Sequence, residues 1–289
     1  MKRKFFDILR LIWKIPFLEK LLVKKTINKP FGIFVTKLPP NHYQYKKSSI
    51  REVTRNHVNY KLDISDIVDW FIYFGFKETS RESLLNLIDE NQTIIDIGAN
   101  VGNVSLQIAY LLGDHGHVHS FEPDPLNFKR IEANVKRNDF KNIQLNNLGL
   151  GNEEGSFHIA TVNEGNQGMN RIVGEHSDLK NLRKIEVTTL DNYVEKNHLK
   201  KINLIKIDVE GFEYNVLMGA LNVIKNNHPI FFIELDDNNL LEQGHSAKKL
   251  IELLERFHYE FIHAETKEKI SSNSNFKNCH FDIIAKFKN

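Results

Sequence analysis

From residue 93 onward, apolar runs of strand length alternate with periodic segments of helix length, and few folds accommodate that alternation. Strands are predicted at 93–97, 117–121, 143–148, 203–207 and 230–235. Helices are predicted near 102–112, 125–137, 212–226 and 246–256. A strand followed by a crossover helix and another strand builds a parallel sheet, and such sheets bury both faces under helices. The expected class is therefore α/β, with a mostly parallel sheet and helices on both faces. Residues 149–200 interrupt the pattern with the turn signals "GNEEG" and "NEGNQG" and the short strand-like pieces "SFHIA" and "KIEVTTL". They read as an inserted hairpin or lid. The closing stretch "NCHFDIIAKFK" alternates and is expected to add a final strand at the sheet edge.

Ahead of this core, residues 1–49 read as a basic amphipathic arm and linker, with the main domain at 50–289 and its core at 93–235. Arg3, Asp7, Arg10 and Lys14 fall on one helical stripe, and Phe5, Ile8, Leu9 and Ile12 on another. Pro16 is expected to end or kink this helix. Residues 1–25 carry eight Lys/Arg against Asp7 and Glu19. That pattern suits an arm packed on its own domain, a helix resting on anionic lipid as a peripheral membrane contact, or a contact with a partner protein. Residues 28–47 hold Pro30, Pro39 and Pro40 and read as an irregular linker. Within 50–90, "HVNYKLDI" suits a strand, and the aromatic "DIVDWFIYFGF" should pack on the core downstream of it. "TSRESLLNLIDE" looks helical, with Thr79 and Glu82 at capping-box spacing.

Composition narrows the rest. The chain is 41% hydrophobic and 26% charged, as soluble globular proteins are. A net charge of +2 gives no general reason to expect nucleic acid. The single cysteine, Cys279, excludes an intrachain disulfide and suits a reducing compartment. No segment reaches the roughly 18 apolar residues of a spanning helix. The expected location is cytoplasmic, with the membrane surface as the arm's alternative.

Ligands in open α/β sheets bind beyond the carboxyl ends of the strands. Four strand ends there carry an acid: Asp96 in "IIDIG", Glu122 in "HSFEP", Asp208 in "LIKIDVEG" with Glu210 just beyond, and Glu234 in "FFIEL". One such acid is unremarkable, since Asp and Glu often begin loops and cap helices. Four at one edge make an electronegative crevice, which repels a pyrophosphate and attracts a cation. The turn itself agrees. A dinucleotide fingerprint from Gly98 would need glycines at 100 and 103, and both are asparagine. Gly98 and Gly102 still permit a tight turn, and Asn100 offers both a donor and an acceptor.

S-adenosylmethionine fits this arrangement, having a sulfonium, an ammonium and a carboxylate but no phosphate. Asp96 and the loop at Asn100 are placed to hold its methionine part. Glu122, 24 residues past Gly98, suits its ribose hydroxyls. Methyl transfer to an acceptor that must lose a proton then requires a base near the transferred methyl. Asp208 is the first candidate and Glu210 the second, with capping of the helix that begins at "GFEYNVL" as the other reading of Glu210. Glu234 is placed either to orient the acceptor or merely to end its strand. In the insertion, "NEGNQGMNRIV" contributes Asn170 and Arg171, side chains suited to sugar hydroxyls or a nearby anion. No metal is assigned. His115, His117 and His119 read as flanking an ordinary strand.

The motifs "IIDIGANVGNVSL", "HSFEPDPLNFKRIEANV", "LGLGNEEGSFHIA", "VTTLDNYV" and "INLIKIDVEGFEYNVLMGA", in this order and spacing, resemble the FkbM-type family of class I S-adenosylmethionine-dependent methyltransferases over roughly 60–235. The resemblance implies a Rossmann-like, seven-stranded, mostly parallel sheet with an antiparallel last strand. It implies O-methylation of a hydroxyl on a sugar, glycan or other small natural product. By motif position it assigns the cofactor to Asp96, Gly98, Asn100, Gly102 and Glu122, and brings Asp208 near the reacting centre. Nitrogen methylation of protein or nucleic acid, and a non-catalytic cofactor-binding or membrane-surface scaffold, are the alternatives. The lack of a basic stripe in 93–235 argues against nucleic acid.

Overall fold

The structure is a computed structural model that describes residues 7–160, 171–173 and 182–288. Strands β1 (Ile50–Arg55) and β2 (Val58–Asp63) form an antiparallel hairpin. Its two turn residues, Asn56 and His57, both have positive φ, as a tight two-residue hairpin requires. Val58, Tyr60 and Leu62 alternate into a buried face. The helix Ile67–Phe74 comes next, capped by the Asp66 side chain and stopped by left-handed Gly75. The helix Thr79–Leu85 has no side-chain cap; Glu78 precedes it, and Thr79 is its first residue. The expected capping box is thus shifted out of place.

The large sheet holds β3 (Thr93–Ile97), β4 (His117–Phe121), β5 (Ile143–Asn146), β10 (Leu204–Ile207), β11 (Ile230–Asp236), β12 (Tyr259–His263), β13 (Lys269–Ile270) and β14 (His280–Phe287). Their order is β13-β12-β14-β11-β10-β3-β4-β5. From β11 through β5 all pairs are parallel. β14 runs antiparallel to both of its neighbours. Seven strands thus make the expected sheet, and the two-residue β13 adds an eighth at the edge. The last strand lies inside the sheet, between β11 and β12, and not at its edge. Ile283, Ile284 and Ala285 are buried on both of its faces, as in a strand of a sheet covered on both sides.

The insertion folds as a second sheet ordered β6-β9-β7-β8, from β6 (Gly149–Leu150), β7 (Gly155–Ala160), β8 (Arg171–Val173) and β9 (Arg183–Thr188). A helix, Leu190–Lys196, returns the chain to β10. Ile159, Ile172, Ile185 and Val187 join the core cluster of the main sheet. The single helix expected at 212–226 is two, Glu213–Met218 and Leu221–Asn227. Gly219 separates them where the backbone meets Gly151; a Cβ there would lie 1.9 Å from the Gly151 carbonyl oxygen.

At the amino end, residues 7–10 are helical, Leu11–Lys14 is a 3-10 turn, and a second helix spans Pro16–Thr26. Pro16 therefore starts a helix, at the position where a missing N–H costs nothing. Leu22 and Val23 share a cluster with Tyr60, Trp70 and Phe74. Buried Glu19 accepts from Arg51 Nε at 2.7 Å and from the Tyr73 hydroxyl at 2.9 Å. Residues 28–47 are irregular apart from 3-10 turns at Val35–Lys37 and His42–Gln44.

Candidate active site

Strand order reverses at β3: β4 and β5 lie to one side of it, β10 and β11 to the other. A crevice opens beyond the strand ends at such a switch point. The loops leaving β3 and β10 meet there. Gly98 has a φ of +81°, and a Cβ on it would stand 1.9 Å from the Asp208 carbonyl oxygen. Only glycine can hold these two loops in contact.

The sheet register sorts the acids. Ile97 pairs with Ile207 and with Phe121, and Ile207 pairs with Ile233. The next residue on each strand is therefore Gly98, Asp208, Glu122 or Glu234, in one row along the rim. Asp282, the register partner of Glu234 on β14, extends that row. Asp96 lies two residues deeper, paired with Lys206 and Ser120. It is fully buried and accepts a hydrogen bond from the Ser105 hydroxyl. Thus three of the four expected acids reach the rim, and the fourth supports it from beneath.

The link between the two levels is Lys206, a cation outside the set of residues expected from the motifs. Its Nζ lies 3.5 Å from Asp96 Oδ1 and 3.3 Å from Asp208 Oδ2. It also donates to the carbonyl oxygens of Gly98 at 3.0 Å and Ile97 at 3.3 Å. Burial by itself would lower this ammonium's pKa, but Asp208 and Asp96 outweigh burial and hold it above the usual lysine value. A lysine in an otherwise apolar strand, "LIKI", was the available signal.

Glu122 is buried at the rim. Its carboxyl accepts the Asn100 N–H at 2.7 Å and the Asp124 N–H at 2.9 Å. Burial pushes its pKa up to about 7, against the opposing pull of those two amides. One further lone pair on each oxygen is available to a ligand. Asn100 has a φ of +52°. Its buried Oδ1 has no hydrogen-bond partner. Gly102, by contrast, lies outside the cavity lining and sits against Ile131, 2.6 Å from where a Cβ would be.

Across the crevice, Glu210 has a φ of +53° and accepts from Asn239 Nδ2 at 2.9 Å. Capping of the following loop falls to Glu213 instead, whose Oε1 accepts the N–H groups of Val209 at 3.1 Å and Gly211 at 3.0 Å. Burial raises the Glu234 carboxyl well above the usual range, and Asp208 and Glu210 nearby add to the rise. His280 lies 3.8 Å from Glu234 and 2.9 Å from Asp236. Asp282, also raised by burial, to about 6, accepts from the Ser80 hydroxyl.

These groups surround a cavity of ≈ 580 Å³. At one end stand Gly98, Ala99, Asn100, Phe121, Glu122 and the Leu148–Leu150 segment. At the other stand Lys206, Asp208, Glu210, Glu234, Asp236, Asn239 and His280. Val68, Phe71 and Ile72 supply an apolar wall, and Ile159 and Ile172 bring the inserted sheet to it. Asn170 lies outside the described residues. Arg171 opens β8, paired with Ala160, and its backbone alone is described. Asn239, His280, Asp282 and Phe71 were not legible beforehand, because each reaches the site from an element distant in sequence.

Comparison with known proteins identifies the family. The Methyltransferase FkbM domain matches residues 96–261, more than half of the chain. Hexuronic acid methyltransferase AglP of Haloferax volcanii is 29% identical over 143 residues, which cover 50% of this chain and 56% of that protein. Methyltransferase 1 of Beauveria bassiana is 26% identical over 148 residues, 45% of this chain and 59% of its own. The chain thus spans little more than half the length of these curated relatives. A solved FkbM methyltransferase from Methylobacillus flagellatus aligns with 75% of this chain and 52% of its own, at 17% identity and a TM-score of 0.47. On the extent of the domain match, the chain belongs to the FkbM family of methyltransferases.

Proposed function

We propose that the chain transfers a methyl group from S-adenosylmethionine to a hydroxyl oxygen of a sugar or a similarly hydroxyl-rich small acceptor. The observation that carries this reading is Asp208, whose side chain is 44% exposed beside the loop that leaves β3. A carboxylate at that place can take the proton that an alcohol must lose as its oxygen is methylated.

The residues present fit the donor. Asn100 Oδ1 is a buried acceptor without a partner, and Glu122 keeps lone pairs for vicinal hydroxyls. The acid row favours a cationic ligand over a phosphate. S-adenosylmethionine, when bound, supplies a methyl carbon activated by the adjacent sulfonium. The protein's own part is to orient and to accept a proton. Lys206 pins Asp208 and the Gly98 loop together. Glu210 is held by Asn239, and Glu234, which burial keeps more readily protonated, can donate to an acceptor oxygen. Such a rim suits a neutral hydroxylated ring better than an acidic one. The similarity to AglP, named for a hexuronic acid, supports a sugar acceptor.

Transfer of labelled methyl groups to a panel of glycan acceptors tests this, with Asp208→Asn as the decisive variant. Turnover should fall ~10²–10⁴-fold, while donor affinity stays within about threefold. Undiminished turnover in Asp208→Asn would refute the proton-accepting role.

A further inference from the structure

Among the described residues, the amino-terminal segment carries an exposed apolar surface. In the helix Pro16–Thr26, Glu19, Leu22, Val23 and Thr26 face the domain and are buried. The opposite stripe holds Phe17, Lys20, Leu21 and Lys24, all exposed. Phe17 is 68% exposed. Before this helix, Ile8 and Ile12 are 65% and 56% exposed. After it, in the turn region that packs on the same helix, Phe34 is 80% exposed and Phe31 54%. Isolated exposed apolar side chains are ordinary, but this many within one short segment mark a contact surface.

The charge on this segment is one-sided. Residues 7–47 hold nine Lys/Arg against Asp7 and Glu19, in a chain that balances 39 Lys/Arg with 37 Asp/Glu. Both acids are already engaged: Asp7 pairs with Arg10 at 3.2 Å, and Glu19 is buried against Arg51. Lys20, Lys24, Lys25, Lys29 and Lys37 are exposed. Lysine is depleted at the cores of protein interfaces. Lysines interleaved with Phe and Leu along one helix face suit a lipid headgroup layer, where the stems lie in the apolar zone and the ammonium groups meet phosphates.

We infer that this face docks the protein on an anionic membrane surface. The docked face adjoins the active site. Phe31 packs on Phe71 with ring centroids 4.9 Å apart, and Phe71 forms part of the cavity's apolar wall. Docking through the segment therefore sets the cavity beside the bilayer.

Vesicle co-sedimentation of the whole chain tests the inference, independently of methyl transfer. The protein should partition at least about tenfold more strongly onto equimolar phosphatidylcholine–phosphatidylglycerol vesicles than onto phosphatidylcholine alone, and less so in high salt. Phe17→Ser combined with Phe34→Ser should lower partitioning about tenfold on either vesicle. Lys24→Gln with Lys25→Gln should lower only the anionic preference. All four positions are exposed, so thermal melting and S-adenosylmethionine binding should be unchanged, which separates lost docking from lost folding. Absence of binding to both vesicle types would overturn the inference. So would double-serine variants that bind as wild type does. A wild-type dimer that those substitutions turn into monomer would assign the face to a second copy instead.

Discussion

Gly98 and Asp208 touch backbone to backbone where the strand order reverses, with 1.9 Å between the Asp208 carbonyl oxygen and the place of a Gly98 Cβ. This contact joins the loop that leaves β3 to the acidic residues that leave β10. Gly98→Ala should cost about 1 kcal/mol for the positive φ and roughly 1–3 kcal/mol more for the displaced loop. Gly244 also has a positive φ, +79°, but nothing lies within 4 Å of its Cβ position. Gly244→Ala should cost only the conformational part, about 1 kcal/mol. Urea midpoints of the two variants measure the difference.

Lys206 and Asp96 form a buried ion pair beneath the rim, at 3.5 Å. Lys206→Met should destabilise by roughly 3–5 kcal/mol, because it strands the Asp96 carboxylate without its cation. Adding Asp96→Asn should restore part of that loss, since the two residues interact directly. Denaturant unfolding of the two single variants and the double variant gives the coupling. Additive costs would show that the pair does not act as a unit.

Glu213 offers a clean test of pH dependence. Burial raises its pKa from 4.5 to about 7. A carboxyl with a raised folded-state pKa binds its proton more tightly when folded. Its stabilising contribution is therefore complete below about 4.5 and is lost as the pH rises through about 7. Oε1 accepts both loop amides, and buried Oε2 has no partner. Glu213→Gln can keep the first oxygen's bonds and remove the charge. The variant should gain about 2 kcal/mol over wild type at pH 8 and little at pH 5. Thermal melts across this range would show the two curves converging at the acid end.

Asn100→Gly should separate binding from folding. Glycine accepts a φ of +52° at no steric cost, and the backbone N–H to Glu122 is retained. Stability should change by less than about 1 kcal/mol. Affinity for S-adenosylmethionine should fall about tenfold, the equivalent of one hydrogen bond from the side chain. Calorimetric titration reads this directly, and unchanged affinity would remove Asn100 from the donor site.

Periodicity along the sequence determined the parallel sheet, the positions of its strands β3, β4, β5, β10 and β11, and the acids at their carboxyl ends. These are local properties: a buried strand needs consecutive apolar residues, and a turn at a strand end needs glycine or asparagine. The departure from a dinucleotide fingerprint was legible for the same reason. Tertiary structure decided which acids share a level. Asp96 and Glu122 look equivalent in sequence, yet pairing register sets Asp96 two residues below the rim. It also decided that Lys206 neutralises part of the acid cluster, and that β14 enters the sheet between β11 and β12. The amino-terminal helix shows the same division. The sequence showed two stripes ahead of Pro16, but the buried face lies in the helix after it, where Leu22 and Val23 face the domain while Phe17 and Leu21 stay in solvent. Register, charge pairing and the choice of buried face depend on contacts between segments far apart in the chain, which periodicity within one segment does not encode.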